Sequence, residues 1–146
     1  MHQVSEREIV SNTRLVAAVA AAGFVLVAGY QVSLALGVPL GAAAWGGVHE
    51  VLPRGLRIAS AISAVVLLVA ALTVLGRAGY WGADVPSGIF HWGTWVFAVL
   101  MTLSGVANLA SSSLWERYLL GPIACLLAIL CLLIARSEML ERASTE

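Results

Sequence analysis

Four long stretches without a charged residue constrain this chain more than any other feature of its sequence. They lie between Arg14 and Glu50, Arg57 and Arg77, Asp84 and Glu116, and Arg117 and Arg136. A bilayer core of ~30 Å requires about 20 helical residues at about 1.5 Å each. Each stretch is therefore long enough to cross a membrane once.

Turn signals limit the two longest stretches to one crossing each. Residues 37–39 (Gly-Val-Pro) interrupt the first stretch, and the serines at 111–113 close the third. The predicted fold is all-α, an integral membrane four-helix bundle with antiparallel up-down-up-down topology. We expect one membrane domain over residues 1–146, with helices at residues 15–36, 57–76, 89–110 and 118–135.

Composition excludes a soluble fold. Hydrophobic residues make up 60% of the chain and charged residues 11%, against roughly 45–50% and 25% in soluble domains. The eight basic residues balance the eight acidic ones, so there is no basic surplus for nucleic acid. The predicted partner is the lipid bilayer. A cleaved signal peptide is the alternative for the first helix, but its apolar run exceeds the ~7–15 residues of a signal sequence, and we favour retention.

Arginine placement predicts the orientation in the membrane. With the N-terminus inside, five arginines lie on the cytoplasmic side and three outside, in the direction of the positive-inside rule. The inside set is Arg7, Arg14, Arg77, Arg136 and Arg142, and the outside set is Arg54, Arg57 and Arg117. We therefore expect a multi-pass protein of the bacterial inner membrane with both termini in the cytoplasm.

Small residues indicate where the helices associate. Helices in lipid approach closely through small side chains, because Leu is no more apolar than lipid. In the first span, Ala18 and Ala22 form one such pair, and Gly29, Ser33 and Gly37 continue the spacing. The second span offers Ala59 with Ser63 and Ser60 with Ala64 as faces that could meet this ridge.

Uncharged polar residues are the candidate lining of a pathway. They are Gln31, Ser33, Thr102 and Asn108. No Asp, Glu, Lys or Arg lies between the predicted span ends, which disfavours proton-coupled transport. We expect Asn108 to point inward or to lie at the outer interface, because facing lipid would leave its amide unpaired.

The sequence predicts no cofactor and no metal site. His49 and His91 fall near opposite faces of the membrane, so they cannot share a haem. Cys125 and Cys131 are six residues apart and form no CxxC motif. The run from Ser113 to Glu116 matches a capping box, which predicts a helix start with the Glu116 carboxylate bonded to local backbone.

The segment joining the first two spans is the best candidate for a specific role, since it is too apolar for a free loop. We expect it to lie along the outer interface or to fold back over the bundle, with the arginines near lipid phosphates. A plain connector is the alternative. The candidate interface residues are Trp45, His49, Glu50, Arg54 and Arg57.

Two stretches resemble a family of small four-span bacterial membrane proteins, mainly actinobacterial. The first includes residues 44–47 (Ala-Trp-Gly-Gly), His49, residues 51–53 and residues 56–60. The second includes residues 91–93, residues 108–111, Glu116-Arg117 and Pro122. The resemblance covers residues 16–135. It implies a four-span topology and supplies no catalytic residues.

Three functional hypotheses follow. We favour a non-enzymatic helical module that self-associates as a homo-oligomer or joins another membrane protein. The alternative is a small homo-oligomeric transporter or channel for an uncharged or hydrogen-bonding solute. A third is a lipid-phosphate site or enzyme at the outer surface, using His49, Glu50, Arg54 and Arg57, but these residues include no nucleophile, and we assign no catalytic residue.

Overall fold

The four predicted helices are present, and each is long and apolar enough to cross a membrane. The computed structural model describes the backbone of residues 2–145 and the side chains of residues 12–137. The helices are α1 (His2–Leu36), α2 (Arg54–Arg77), α3 (Ser87–Leu109) and α4 (Gly121–Thr145). Their apolar spans are Asn12–Leu36, Arg54–Arg77, Ser87–Leu109 and Glu116–Ser137. Of the arginines used for orientation, Arg7 and Arg142 lie outside the residues with described side chains.

The bundle consists of two helical hairpins. α1 packs mainly on α2, and α3 packs mainly on α4. Contacts between α1 and α4 join the two hairpins. α2 and α3 contact each other less, and we call the boundary between them the α2–α3 seam. The chain is therefore an antiparallel four-helix membrane protein, as predicted.

Small side chains on α1 bring the hairpins close together. Ala17, Ala20, Ala21 and Ala28 are buried around Phe24, which is fully buried. Facing side chains from the other helices complete one apolar core, among them Leu67, Val74, Phe97, Leu127, Cys131 and Ile134. This core fills the half of the bundle nearest the two chain termini, which we call the terminal end.

Part of the predicted small-residue ridge faces outward. Ser60 and Ala64 of α2 are buried as expected for a packing face. In contrast, Ala22 and Gly29 are exposed, and a Cβ on Gly29 would meet nothing within 4 Å. The close-packed face of α1 is thus the face that carries Phe24 and the four buried alanines. The small alanine side chains leave room for the Phe24 ring between the helices.

Residues 37–53 fold back over the other end of the bundle, and we call this segment the cap. It contains two short 3₁₀ turns, Gly41–Ala43 and Trp45–Gly47. Leu34, Ala44 and Leu52 form a small second core beneath it, and the Gly41 N–H donates to the Glu50 carbonyl at 2.9 Å. The cap is therefore a folded lid.

The turn between α2 and α3 closes the terminal end with aromatic side chains. The Tyr80 hydroxyl donates to the Arg14 carbonyl at 3.2 Å, and the Arg14 guanidinium lies 4.7 Å from the centre of the Tyr80 ring. The Trp81 indole donates to the Leu72 carbonyl at 2.8 Å. The Tyr80 contacts join the beginning of the apolar span of α1 to the α2–α3 turn, and the Trp81 contact ties this turn to α2.

Candidate functional site

A cavity of about 360 Å³ lies between the four helices directly beneath the cap. Its volume is near the lower end of the ~300–1,000 Å³ typical of small-molecule sites. The lining is mostly apolar, with a few polar groups. It consists of Val27, Gln31, Ala44, Trp45, Ile62, Ser63, Val66, Leu67, Leu100, Met101, Ser104, Asn108, Glu116, Leu120, Ile123, Ala124 and Leu127.

The cavity ends near the middle of the bundle. Its lining extends from Glu116, in the turn before α4, to Leu127 on α4. This distance is about 16 Å at about 1.5 Å per residue, which is roughly half of a ~30 Å bilayer core. Leu67, Met101 and Leu127 at its floor belong to the buried core of the terminal end. The cavity is therefore a pocket with a closed floor.

The seam between α2 and α3 is where the cavity meets the outside of the bundle. Ile62 on α2 and Leu100 on α3 both line the cavity, yet they are 61% and 41% exposed. At this depth the surroundings of a membrane helix are lipid. The cavity is therefore open toward the side of the bundle at this seam.

Glu116 is a buried carboxylate at the mouth of the cavity, only 7% exposed. Its Oε2 accepts hydrogen bonds from the Gly46 N–H at 3.1 Å and from the Ser111 hydroxyl. A buried carboxylate is costly unless hydrogen bonds or an opposite charge compensate it. The cap and the turn before α4 together supply that compensation.

A π-helical turn over residues 116–120 precedes α4. Pro122 has no N–H, so it cannot make the α-helical hydrogen bond to the carbonyl four residues earlier. The chain widens just before it, and the Gly121 N–H reaches the Glu116 carbonyl instead. Such wide turns are frequent at functional sites.

The predicted capping box forms only in part. The Glu116 N–H donates to the Ser113 hydroxyl oxygen at 3.4 Å, as the motif requires. The Ser113 N–H, however, donates to the Ser111 hydroxyl oxygen at 3.1 Å. The Glu116 carboxylate is thereby left for the Gly46 N–H of the cap, so the expectation that it bonds to local backbone is wrong.

Two serines in the turn before α4 donate hydrogen bonds to carbonyl groups of the cap. The Ser113 hydroxyl donates to the Ala42 carbonyl at 2.9 Å, and the Ser112 hydroxyl donates to the Gly46 carbonyl at 3.3 Å. Gly47 adopts φ +72°, and a Cβ there would lie 2.8 Å from the Ala42 carbonyl oxygen within the cap and 3.0 Å from the Ser113 Cβ of the turn before α4. The close approach of the two segments thus requires glycine at this position.

Trp45 forms the edge of the lid. Its backbone has φ +52°, a left-handed conformation that is uncommon outside glycine and is often found at functional sites. The indole N–H donates to the hydroxyl of the buried Ser60 at 3.0 Å. This bond fixes the ring against α2, where it lines the cavity.

Gln31 and Asn108 bring amide groups to the cavity. The Gln31 Oε1 is buried and has no hydrogen-bond partner among the described residues. The Asn108 amide N–H donates to the Ser104 hydroxyl oxygen at 3.3 Å, and both residues line the cavity. The Gln31 oxygen is thus a buried acceptor next to the cavity, and no hydrogen bond among the described residues compensates its burial.

The other two predicted pathway residues lie outside this cavity. The Ser33 hydroxyl donates to the Gly29 carbonyl at 3.0 Å, and the Thr102 hydroxyl donates to the Ala98 carbonyl at 2.8 Å. Each is thus satisfied by its own helix, a common arrangement for Ser and Thr in membrane helices.

The predicted interface residues divide into two groups. His49, Glu50 and Arg54 are exposed on the cap and the first turn of α2. Arg57 is half-buried, and its Nε donates to the Ala35 carbonyl at 2.8 Å. Trp45 belongs to the cavity. The structure thus brings Trp45, Gln31 and Asn108 to one site, to which Glu116, Ser63 and Ser104 are added.

The chemistry available is recognition by hydrogen bonds and charge in an apolar pocket. Among the residues with described side chains, no group of three or more His, Cys, Asp or Glu is placed to hold a metal ion. Comparison with family models, curated proteins and solved structures finds no match to this chain. The function is therefore inferred from the geometry of the cavity.

Proposed function

We propose that this multi-pass membrane protein binds a small amphipathic molecule, with at least one hydrogen-bonding group, in the cavity beneath the cap. One observation carries the proposal: a pocket of about 360 Å³ has Gln31, Asn108 and the buried Glu116 in an otherwise mostly apolar lining. Mostly apolar pockets with a few polar groups are typical of binding sites. The closed floor favours binding over passage through a single chain.

The α2–α3 seam supports entry from the bilayer. An apolar part of the ligand would pass between Ile62 and Leu100, and its polar group would turn toward Asn108 and Glu116. We also propose, from the arginine bias, an inner-membrane location with cytoplasmic termini, which would place the cap on the outer face. The family resemblance is a further proposal: relatives sharing residues 44–47 and 108–117 would have the same cavity.

The test uses 2-phenylethanol, an uncharged molecule with one ring and one hydroxyl. With the protein in lipid nanodiscs, we expect its thermal stability to rise with probe concentration, because a ligand that binds only the folded state stabilises it. Ala124→Phe should abolish this rise, since Ala124 is buried and lines the cavity. Ala107→Phe is the matched control, because Ala107 is exposed on α3.

A second variant keeps the test decisive if Ala124→Phe does not fold. Asn108→Leu removes an amide from the cavity at similar volume and should weaken probe binding about 3- to 10-fold, the effect of one hydrogen bond. Equal stabilisation of the wild type and both cavity variants would mean that the probe acts through the lipid, and would refute the proposal.

Self-association is a second candidate function, favoured by the outward face of α1. Gly29 is exposed with open space beside it, and Ala22 lies on the same outer side. Small residues of this kind allow a helix of another chain to approach closely. We propose a second copy of this chain as the occupant, and the oligomeric state in lipid tests it.

A further inference from the structure

Among the residues with described side chains, Glu116 is the only ionisable one in the lining of the cavity. Its Oε2 is occupied by the Gly46 N–H and the Ser111 hydroxyl, whereas its Oε1 has no donor among the described residues. A single carboxylate in an apolar pocket is a strong local charge, because the surrounding dielectric screens it poorly. The pocket therefore favours a ligand that carries a positive charge.

Two arginines at this end of the bundle donate to backbone carbonyls and not to Glu116. The Arg117 Nη2 donates to the Ser111 carbonyl at 2.7 Å, and the Arg57 Nε donates to the Ala35 carbonyl at 2.8 Å. Within residues 12–137, no arginine or histidine forms an ion pair with Glu116. The carboxylate thus has two hydrogen bonds and no counter-cation.

The other polar groups of the lining also favour a hydrogen-bond donor. The buried Gln31 oxygen is an acceptor without a partner among the described residues, and Asn108 uses one of its two amide N–H donors on Ser104 and keeps its Oδ1 as an acceptor. An ammonium group has three donors and no acceptor. The Trp45 indole at the mouth can add a cation–π attraction.

We propose that the cavity is a binding site for an organic cation, namely a primary or secondary ammonium attached to a small apolar body, with Glu116 as its counter-ion. The ammonium replaces the missing positive charge beside Glu116, and the apolar body fills the space between Leu67, Leu100 and Ile123. This assignment rests on the proposed function and adds the class of ligand.

The experiment compares 2-phenylethylamine, which is protonated at neutral pH, with its neutral isostere 2-phenylethanol. Binding of both to the protein in nanodiscs of zwitterionic lipid is measured by thermal shift, with empty nanodiscs to correct for partition. We expect the wild type to prefer the amine about 10- to 100-fold, the factor expected for hydrogen bonds to a charged group.

Two glutamate variants separate the carboxylate from general effects of charge. Glu116→Gln keeps the size and one acceptor oxygen, so it should remove the preference for the amine while 2-phenylethanol binding changes less than about twofold. Glu50→Gln is the matched control, because Glu50 is an exposed acidic residue of the cap that covers the cavity and is not part of the lining. It should leave both affinities unchanged.

The outcomes distinguish this inference from the proposed function. If both probes bind equally to the wild type, the cation assignment is wrong and the cavity remains a ligand site. If neither probe binds, both proposals fail. If Glu116→Gln does not fold, the preference measured on the wild type still decides the question.

Discussion

Gly41 is a residue at which the two ends of the cap lie in close contact. It is buried, and its N–H donates to the Glu50 carbonyl. A Cβ at this position would clash with the His49 carbonyl oxygen and lie 2.9 Å from that of Glu50. These neighbours are backbone atoms, so they cannot move aside as the end of a flexible side chain would.

We predict that Gly41→Ala separates residues 41–47 from residues 49–52. The free energy of unfolding in detergent should fall by roughly 1–3 kcal/mol, as for other overpacked sites, and 2-phenylethanol binding should weaken because the lid no longer fits. Gly55→Ala is the control. Gly55 lies in the first turn of α2 with nothing within 4 Å, so a loss of stability there as large as at Gly41 would contradict this explanation.

At the scale of the elements, Arg57 connects the end of α1 to the start of α2. The last carbonyls of a helix have no partner within the helix, and positive charge is favourable near them. The Arg57 guanidinium donates to one of them, that of Ala35, and lies against Gly37. Gly37 has φ +89° and ends the helix.

Arg57→Gln should therefore lower stability, whereas Arg54→Gln should not. The loss expected for Arg57 is about 1–3 kcal/mol, the range for a hydrogen bond to a charged group. Arg54 is exposed, so its substitution should stay within about 0.5 kcal/mol. Thermal unfolding followed by circular dichroism measures both. Equal losses would instead favour a shared role of the two arginines at lipid phosphates.

The four helices were predictable from the sequence. So were three residues of the candidate site, namely Trp45, Gln31 and Asn108. Uncharged runs identify the helices because bilayer thickness sets the length of a span. Gln31 and Asn108 were identifiable because a polar residue within a span must find a partner. Glu116 was not, since a capping motif is local whereas the burial of its carboxylate depends on Gly46, 70 positions away in sequence.

At the scale of the whole molecule, the bundle has one loose seam and one outward small-residue face. The seam between α2 and α3 leads into the cavity, whereas the face with Ala22 and Gly29 is on α1. Because α1 contacts α2 and α4 on its buried side, a second copy could pack on its outer side without covering the seam. Binding and association are therefore compatible.

Gly29→Leu tests the association. If two copies meet at this face, the bulky side chain should prevent close approach, and crosslinking in lipid should show the dimer fraction falling several-fold. Ala107→Leu is the control, since Ala107 is an exposed small residue on a different helix, α3. A wild type that is monomeric at all protein-to-lipid ratios would rule out this candidate.

The contacts between the cap and the turn before α4 also set the order in which the protein can be built. Gly46 and Glu116 lie in the first and second halves of the chain, so a nascent chain that has inserted only its first hairpin has a cap that lacks its contacts to Glu116 and to the serines before α4. The carboxylate that the cap covers arrives with the second hairpin. Assembly of the pocket is therefore a late step of biosynthesis, and an arrested half-protein has no site to occupy.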